Sequence, residues 1–170
     1  MQLIDPFRAA VAMCSACAAA MTTEPTAVSQ ESPGDCFALT GLTETVKLDY
    51  EAVVPGSFSI GDRSTHTDEF FDADGASVGH LVGHSWKVLK RPEGDRLMAF
   101  YREEVDLPDG QIQTAGWIDV NAILAGEWQA LHAVGTAGRY LGKVGVRELR
   151  SVELRRNFQA NFVLCGLAGK

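Results

Sequence analysis

The sequence has no basic excess. Its 15 lysines and arginines face 22 aspartates and glutamates, a formal charge of −7. A protein that grips nucleic acid shows the opposite balance or a basic stripe, so no nucleic-acid partner is expected. The chain also lacks an apolar run long enough to span a bilayer, and no membrane partner is expected. Cysteine is sparse: Cys14, Cys17, Cys36 and Cys165. Cys14-Ser-Ala-Cys17 has the spacing of half a zinc or redox site, but no second CxxC or paired histidine follows to complete four ligands. The cysteines read as reduced thiols of a cytoplasmic protein.

Several catalytic signatures are missing as well. No GxSxG nucleophile elbow occurs, and no cysteine lies in a catalytic context. The Gly-rich stretch "VGTAGRYLGKVG", Val134 to Gly145, is the nearest thing to a phosphate loop. Its Gly142-Lys143 is followed by valine and a strand-like run, where a phosphate loop needs Ser or Thr opening a helix. Gly135, Gly138 and Gly142 do not have the dinucleotide spacing either. Turn and bend glycines are the better reading. His80 and His84 share a strand face by their even spacing, yet lack the HxH pair and downstream carboxylate of a cupin-type metal site. Glu103-Glu104 and Asp68-Glu69 are adjacent pairs, which a strand splits between its two faces, so neither is a ready carboxylate dyad.

What is present is strand periodicity. Over Thr43 to Val54 the even positions (Glu44, Val46, Leu48, Tyr50, Ala52, Val54) are mostly apolar and the odd ones mostly polar. That is a half-buried strand. Asp74-Gly75, "RPEGDR" and "LPDGQ" are turn signals between further strand-like runs. Strands are predicted at 43–54, 64–72, 76–91, 96–107, 111–120, 128–134, 143–154 and 158–165, with one helical turn in "NAILAGE" (Asn121 to Glu127). Eight strands with short links suggest a closed antiparallel β-barrel of the all-β class, with a two-sheet sandwich as the structural alternative. Such a barrel can hold one small ligand. Glycines within the runs, Gly83 among them, are expected to allow bulges or bends.

Ahead of the barrel, Ala9 to Met21 is apolar and Ala-rich. With one base (Arg8) and one acid (Asp5) before it, the run reads as an amphipathic or loosely helical appendage rather than a signal peptide. Thr22 to Asp35, rich in Ser, Thr, Pro and Glu, reads as a flexible linker. The organisation is thus 1–35 tail and linker, 36–170 barrel. Within the barrel, Glu44 belongs to the apolar face of the first strand and Arg147 to the face that carries Leu149. Both charges would point inward near the mouth, there to pair with each other, meet a ligand, or reach solvent at the rim.

Three segments, "FFDADGASVGHLVGHSWKV", "YREEVDLPDGQIQTAGW" and "GTAGRYLGKVG", together resemble the allene-oxide-cyclase-like barrel superfamily, which also includes dirigent-type proteins. Within it they are most similar to the spirotetronate and spirotetramate cyclases of bacterial polyketide pathways, such as those of abyssomicin and pyrroindomycin. The resemblance spans Thr43 to Cys165. It implies an eight-stranded barrel that closes a ring by intramolecular 4 + 2 cycloaddition of the Diels–Alder type, without cofactor or metal. The substrate would be a linear polyketide bearing a diene and an exocyclic alkene on a tetronate or tetramate ring. An allene-oxide-cyclase-like isomerase and a lipocalin-like carrier are the alternatives.

The resemblance also places residues. Tyr101 matches a lumen tyrosine; His66, Val120, Leu131, Leu149 and Ser151 fall on lumen-lining positions; Glu44 and Arg147 fall on a charge pair across the mouth. Tyr101, His66 or Gln113 would donate a hydrogen bond to the carbonyl conjugated with the dienophile. Alignment to the family turns Ser85, Lys87 and Leu89 inward, whereas hydrophobicity prefers Trp86 and Val88; a bulge near Gly83 would reconcile them, and Trp86 is expected inward. Met1 to Met21 would act as a lid, as in the pyrroindomycin-type member, and a homodimer is implied by resemblance.

Overall fold

A computed structural model describes residues 30–32 and 35–166. A short strand β1 (Gln30–Ser32) is followed by eight longer ones: β2 (Cys36–Glu51), β3 (Arg63–Phe71), β4 (Ser77–Arg91), β5 (Arg96–Leu107), β6 (Gly110–Asp119), β7 (Gln129–Gly138), β8 (Lys143–Glu153) and β9 (Asn157–Gly166). Each strand pairs antiparallel with the next, and β9 returns to pair with β2. The result is the eight-stranded closed antiparallel barrel that the short links imply, with β1 appended to the start of β2.

Several boundaries differ from the sequence reading, among them the end of β7, which runs to Gly138 rather than Val134. β2 starts at Cys36 rather than Thr43. Its alternation is interrupted by a bulge between Leu39 and Leu42, where Gly41 takes φ +73° and its N–H donates to Asn161 Oδ1 at 2.9 Å. Residues 30–32, read as linker, form β1, with Gln30 opposite Ala38 and Ser32 opposite Cys36. The expected helical turn is present as α1 (Val120–Leu124), and it begins at Val120, which had been placed at a strand end. Asp119 caps it, accepting from the N–H groups of Asn121 and Ala122 at 2.9 and 3.1 Å.

The cysteine reading is corrected. Cys36 and Cys165 face each other across β2 and β9, with Cα atoms 3.9 Å apart, and form a disulfide. Their 129-residue separation hides the pairing from any spacing rule. Barrel closure is what brings the first and last long strands together. The cytoplasmic reading therefore loses the support it drew from free thiols. Among the described residues no helix is long and apolar enough to cross a membrane. Cys14, Cys17 and the lid assigned to Met1–Met21 lie outside the described residues.

The interior divides along the barrel axis. One half is filled by side chains such as Leu42, Phe70, Leu81, Ile112 and Phe162, all essentially without solvent exposure. Phe70 and Phe162 meet edge to face, 5.5 Å between ring centres. The Gly-rich stretch runs from the end of β7 into β8, its residues 139–142 forming the turn at this end, with Gly138 at φ +62° and Gly142 at φ +76°. Tyr140 folds back from it against Phe37, 4.7 Å between ring centres. The other half of the barrel is open.

Candidate active site

The open half holds a pocket of ≈ 760 Å³, including its mouth. Period-two strands build it: β3 sends Ser64, His66 and Asp68 inward while Thr65, Thr67 and Glu69 face water. From β2 come Glu44, Val46, Leu48 and Tyr50, from β5 Tyr101 and Glu103, and from β8 Arg147, Leu149 and Ser151. α1 contributes Val120 and Ile123. Leu131 is fully buried behind this wall, packed with Ile118, Ile123 and Leu149, so it supports the pocket without lining it.

Two expected lumen residues point the other way. Trp86 is outside the barrel, stacked on His84 at 6.1 Å beside a surface groove with Asp49 and Arg63. Its neighbours Ser85 and Lys87 are buried instead. The β3–β4 register runs unbroken from Gly79 to Trp86, so alternation through Leu81 and Gly83 fixes Ser85 and Lys87 inward. The irregularity in β4 against β5 comes later, between Lys87 and Leu89. Hydrophobicity misleads here because the register, not the polarity of the side chain, sets the face; the buried serine is paired, Ser85 Oγ lying 2.6 Å from Ser64 Oγ. Gln113 is also outside, between the inward Ile112 and Thr114.

Gly83 is not a bulge but a site of close approach. It sits opposite His66, and a Cβ there would lie 2.3 Å from His66 Nε2 and 3.0 Å from Glu103 Cγ. Gly83→Ala is expected to cost about 1–3 kcal/mol by overpacking. Urea unfolding measures it, and Gly83→Ala/His66→Ala should lose less than the sum of the two single changes.

A layer of charge separates pocket from core. Arg147 Nη2 donates to Glu44 Oε1 at 2.5 Å, and Nη1 lies 3.2 Å from Glu103 Oε2. The pair inferred from strand faces thus forms, but at the floor of the pocket rather than across its mouth: Glu44 is 1% exposed and Arg147 0%. The guanidinium rests 5.9 and 5.8 Å from the rings of Phe70 and Phe162. Burial pushes Glu103 up, yet Arg147, His66 and the Thr114 hydroxyl outweigh it and hold its carboxyl below the ordinary range. His66 Nε2 lies 3.5 Å from Glu103 Oε1 and 3.8 Å from Asp68 Oδ2.

Asp68 and Glu103 were set aside in the sequence because their acidic neighbours suggested only split pairs. The split is real, and the inward member of each pair completes the layer. Once His66 and Tyr101 are taken as inward, residues two further along their strands must be inward too. Burial raises Asp68 to about 10, reinforced by the Glu44 charge and a hydrogen bond to Glu44. Asp68 Oδ1 and Glu44 Oε2 otherwise have no partner. A protonated Asp68 carries the donor that a contact with Glu44 requires.

This has a pH consequence. Asp68 binds its proton more tightly folded than unfolded, so its contribution is fully present below the unfolded pKa and declines as pH rises toward about 10. Asp68→Asn, which keeps a donor to Glu44, should be increasingly stabilising relative to the parent between pH 5 and 9. The difference should grow by at most about 1.4 kcal/mol per pH unit. Urea midpoints across that range check it; a difference constant with pH would show that Asp68 is ionised.

Above the floor stands Tyr101, its ring centre 5.9 Å from that of His66. Burial pushes its hydroxyl up to about 12, against a hydrogen bond with Ser85 that lowers it. It therefore stays a neutral donor throughout the physiological range. Together these features define a ligand-binding β-barrel with an apolar, partly aromatic wall, a neutral phenol on that wall and a compensated charged floor.

Residues 42–164 match the allene oxide cyclase barrel like domain, and the chain belongs to that family. Among solved structures it is similar to a nonspecific heme-binding cyclase that catalyses 4 + 2 cycloaddition during neoabyssomicin biosynthesis: 34% identity over 81% of this chain and 70% of that one, TM-score 0.76. The Diels–Alderase AbmU from Streptomyces koyangensis is likewise 34% identical, over 81% and 71% of the two chains, TM-score 0.75. AbnU, an exo-specific intermolecular Diels–Alderase, is 28% identical over 78% of this chain and all of its own, TM-score 0.71. Among the described residues the histidine that lines the pocket is His66, whose Nε2 is turned toward Glu103 and Asp68.

Proposed function

We propose that this protein is a 4 + 2 cyclase that folds a linear polyketide inside the barrel and closes a ring on it intramolecularly. The observation that carries the reading is the pocket itself: a largely apolar wall open at one end, with the Tyr101 phenol held uncharged above the floor. The likeness to 4 + 2 cyclases at 34% identity supports the same reaction class. That one relative acts intermolecularly makes the tether between diene and alkene part of the proposal.

The chemistry fits the residues. A 4 + 2 cycloaddition turns the three π bonds of diene and alkene into two carbon–carbon σ bonds and one new double bond, and releases nothing. No proton moves, so no acid–base pair is required. What the barrel supplies is geometry: a flexible polyene held with its reacting ends in contact loses its entropy before the reaction, and such positioning contributes up to about 7–11 kcal/mol in favourable cases. Tyr101 adds a donor to the carbonyl that activates the alkene, in surroundings poor in water. His66, Val120, Leu149 and Ser151 shape the wall against which one face of the diene is presented. The product proposed is the spiro-fused cyclohexene of a tetronate or tetramate.

The test is incubation with a linear diene–tetronate, read by chiral chromatography, because mass does not change on cyclisation. A single stereoisomer formed faster than in buffer is expected. Substrate returned unchanged but bound would make the protein a carrier, and an isomer without the new ring would make it an isomerase of the allene oxide cyclase kind.

A further inference from the structure

The pocket floor balances its charges, but the mouth does not. Lys87 reaches the pocket from β4 and is only 6% exposed. Its ammonium makes no hydrogen bond or ion pair with any described residue. It lies 4.5 Å from the ring centre of Tyr50 and 5.5 Å from that of Phe58. The nearby acid, Asp62, is committed elsewhere: its carboxylate accepts from the Tyr50 hydroxyl, Val53 N–H at 2.8 Å and Ser59 N–H at 2.7 Å. A second cation faces the same two rings. The Arg155 guanidinium lies 5.2 Å from Tyr50 and 4.9 Å from Phe58, also without an ion pair to a described residue. Both cations line the pocket.

Two cations at one pocket with no ion pair to a described residue are unexpected in a chain of net charge −7. A buried ammonium without a direct ion pair is costly, and ring faces offset only part of that cost. Burial accordingly lowers the Lys87 pKa, which Asp62 partly restores and Arg155 lowers further. A ligand anion would remove the penalty.

We infer that Lys87 and Arg155 form an anion-binding mouth that recognises the ionised oxygen of an acidic 1,3-dicarbonyl ring, with the flat ring against Tyr50 and Phe58 and its attached chain directed inward toward Tyr101. This deepens the cyclase reading and rests on it for the identity of the ring. A 3-acyl tetronate or tetramate is such a ring, ionised at neutral pH. Ionisation makes the conjugated alkene electron-rich and a poorer partner for a diene. Cations at the enolate oxygen draw that density back, so the same contact positions and activates.

The probe is a 3-acyltetronic acid with a saturated chain, which cannot cyclise, compared with its neutral O-methyl ether by titration calorimetry at neutral pH. The parent protein should bind the anion in preference to the ether. Lys87→Met should weaken the anion about 10–100-fold while leaving the ether unchanged, which also shows that the variant is folded. Arg155→Gln, at the exposed rim, should shift binding in the same direction by less. Equal binding of anion and ether by the parent, or an undiminished anion preference in both variants, overturns the inference. If the preference depends on Lys87 but the diene substrate is not cyclised, the anion site stands and the cyclase reading fails. Cyclisation without that preference gives the converse.

Discussion

Arg147→Leu is expected to destabilise the barrel by about 3–5 kcal/mol, because it leaves two ionised carboxylates buried without their cation. Glu44 and Glu103 both rely on Arg147, and neither is more than 1% exposed. Urea unfolding at neutral pH measures the loss. Two companion results fix its origin. Arg147→Leu with Glu44→Gln and Glu103→Gln should recover much of the stability, since a neutral layer has no uncompensated charge. The single variant should also recover relative to the parent as pH falls, because its carboxylates can then be neutralised. A loss below about 1 kcal/mol would mean that the floor is reached by water, contrary to its burial.

Tyr101→Phe should lower the single-turnover rate by about 10–300-fold, the effect of one well-placed donor in a water-poor site. The ring is retained, so the wall keeps its shape and the stereochemical outcome should persist. The phenol is held neutral with its pKa near 12, so the parent's rate should not report a tyrosine titration below about pH 10. An unchanged rate would leave Tyr101 as a wall residue and place activation with the cations at the mouth. A changed product ratio with an unchanged rate would show that the hydroxyl orients substrate without polarising it.

Tyr101, His66, Leu149 and Ser151 were legible from resemblance and strand faces together, and they line the pocket. Alternation turned Glu44 and Arg147 inward, and the resemblance made them a pair. Their depth was not legible, because alternation gives the side of a strand and not the height along a barrel. Trp86 failed for a different reason. Hydrophobicity assumes that a tryptophan outranks a serine and a lysine for the interior, whereas the unbroken register through Gly83 decides the face for the entire strand. Asp68 and Glu103 were passed over because adjacent acids on a strand split between its faces, and Lys87, turned inward by alignment to the family, gave way to Trp86 on hydrophobicity.

By itself the sequence determined the strands, their turns and the barrel class, since period-two patterning and Gly/Asp/Pro turn chemistry act over a few residues and survive without tertiary context. It also determined that no phosphate loop or nucleophile elbow exists. Only the tertiary structure decided what lies across the lumen. The Cys36–Cys165 bond, the layer that Glu44, Glu103 and Arg147 form, and the cations at the mouth each join strands distant in sequence. They follow from the tilt and stagger with which eight strands close, a quantity set by the whole sheet and written in no single segment.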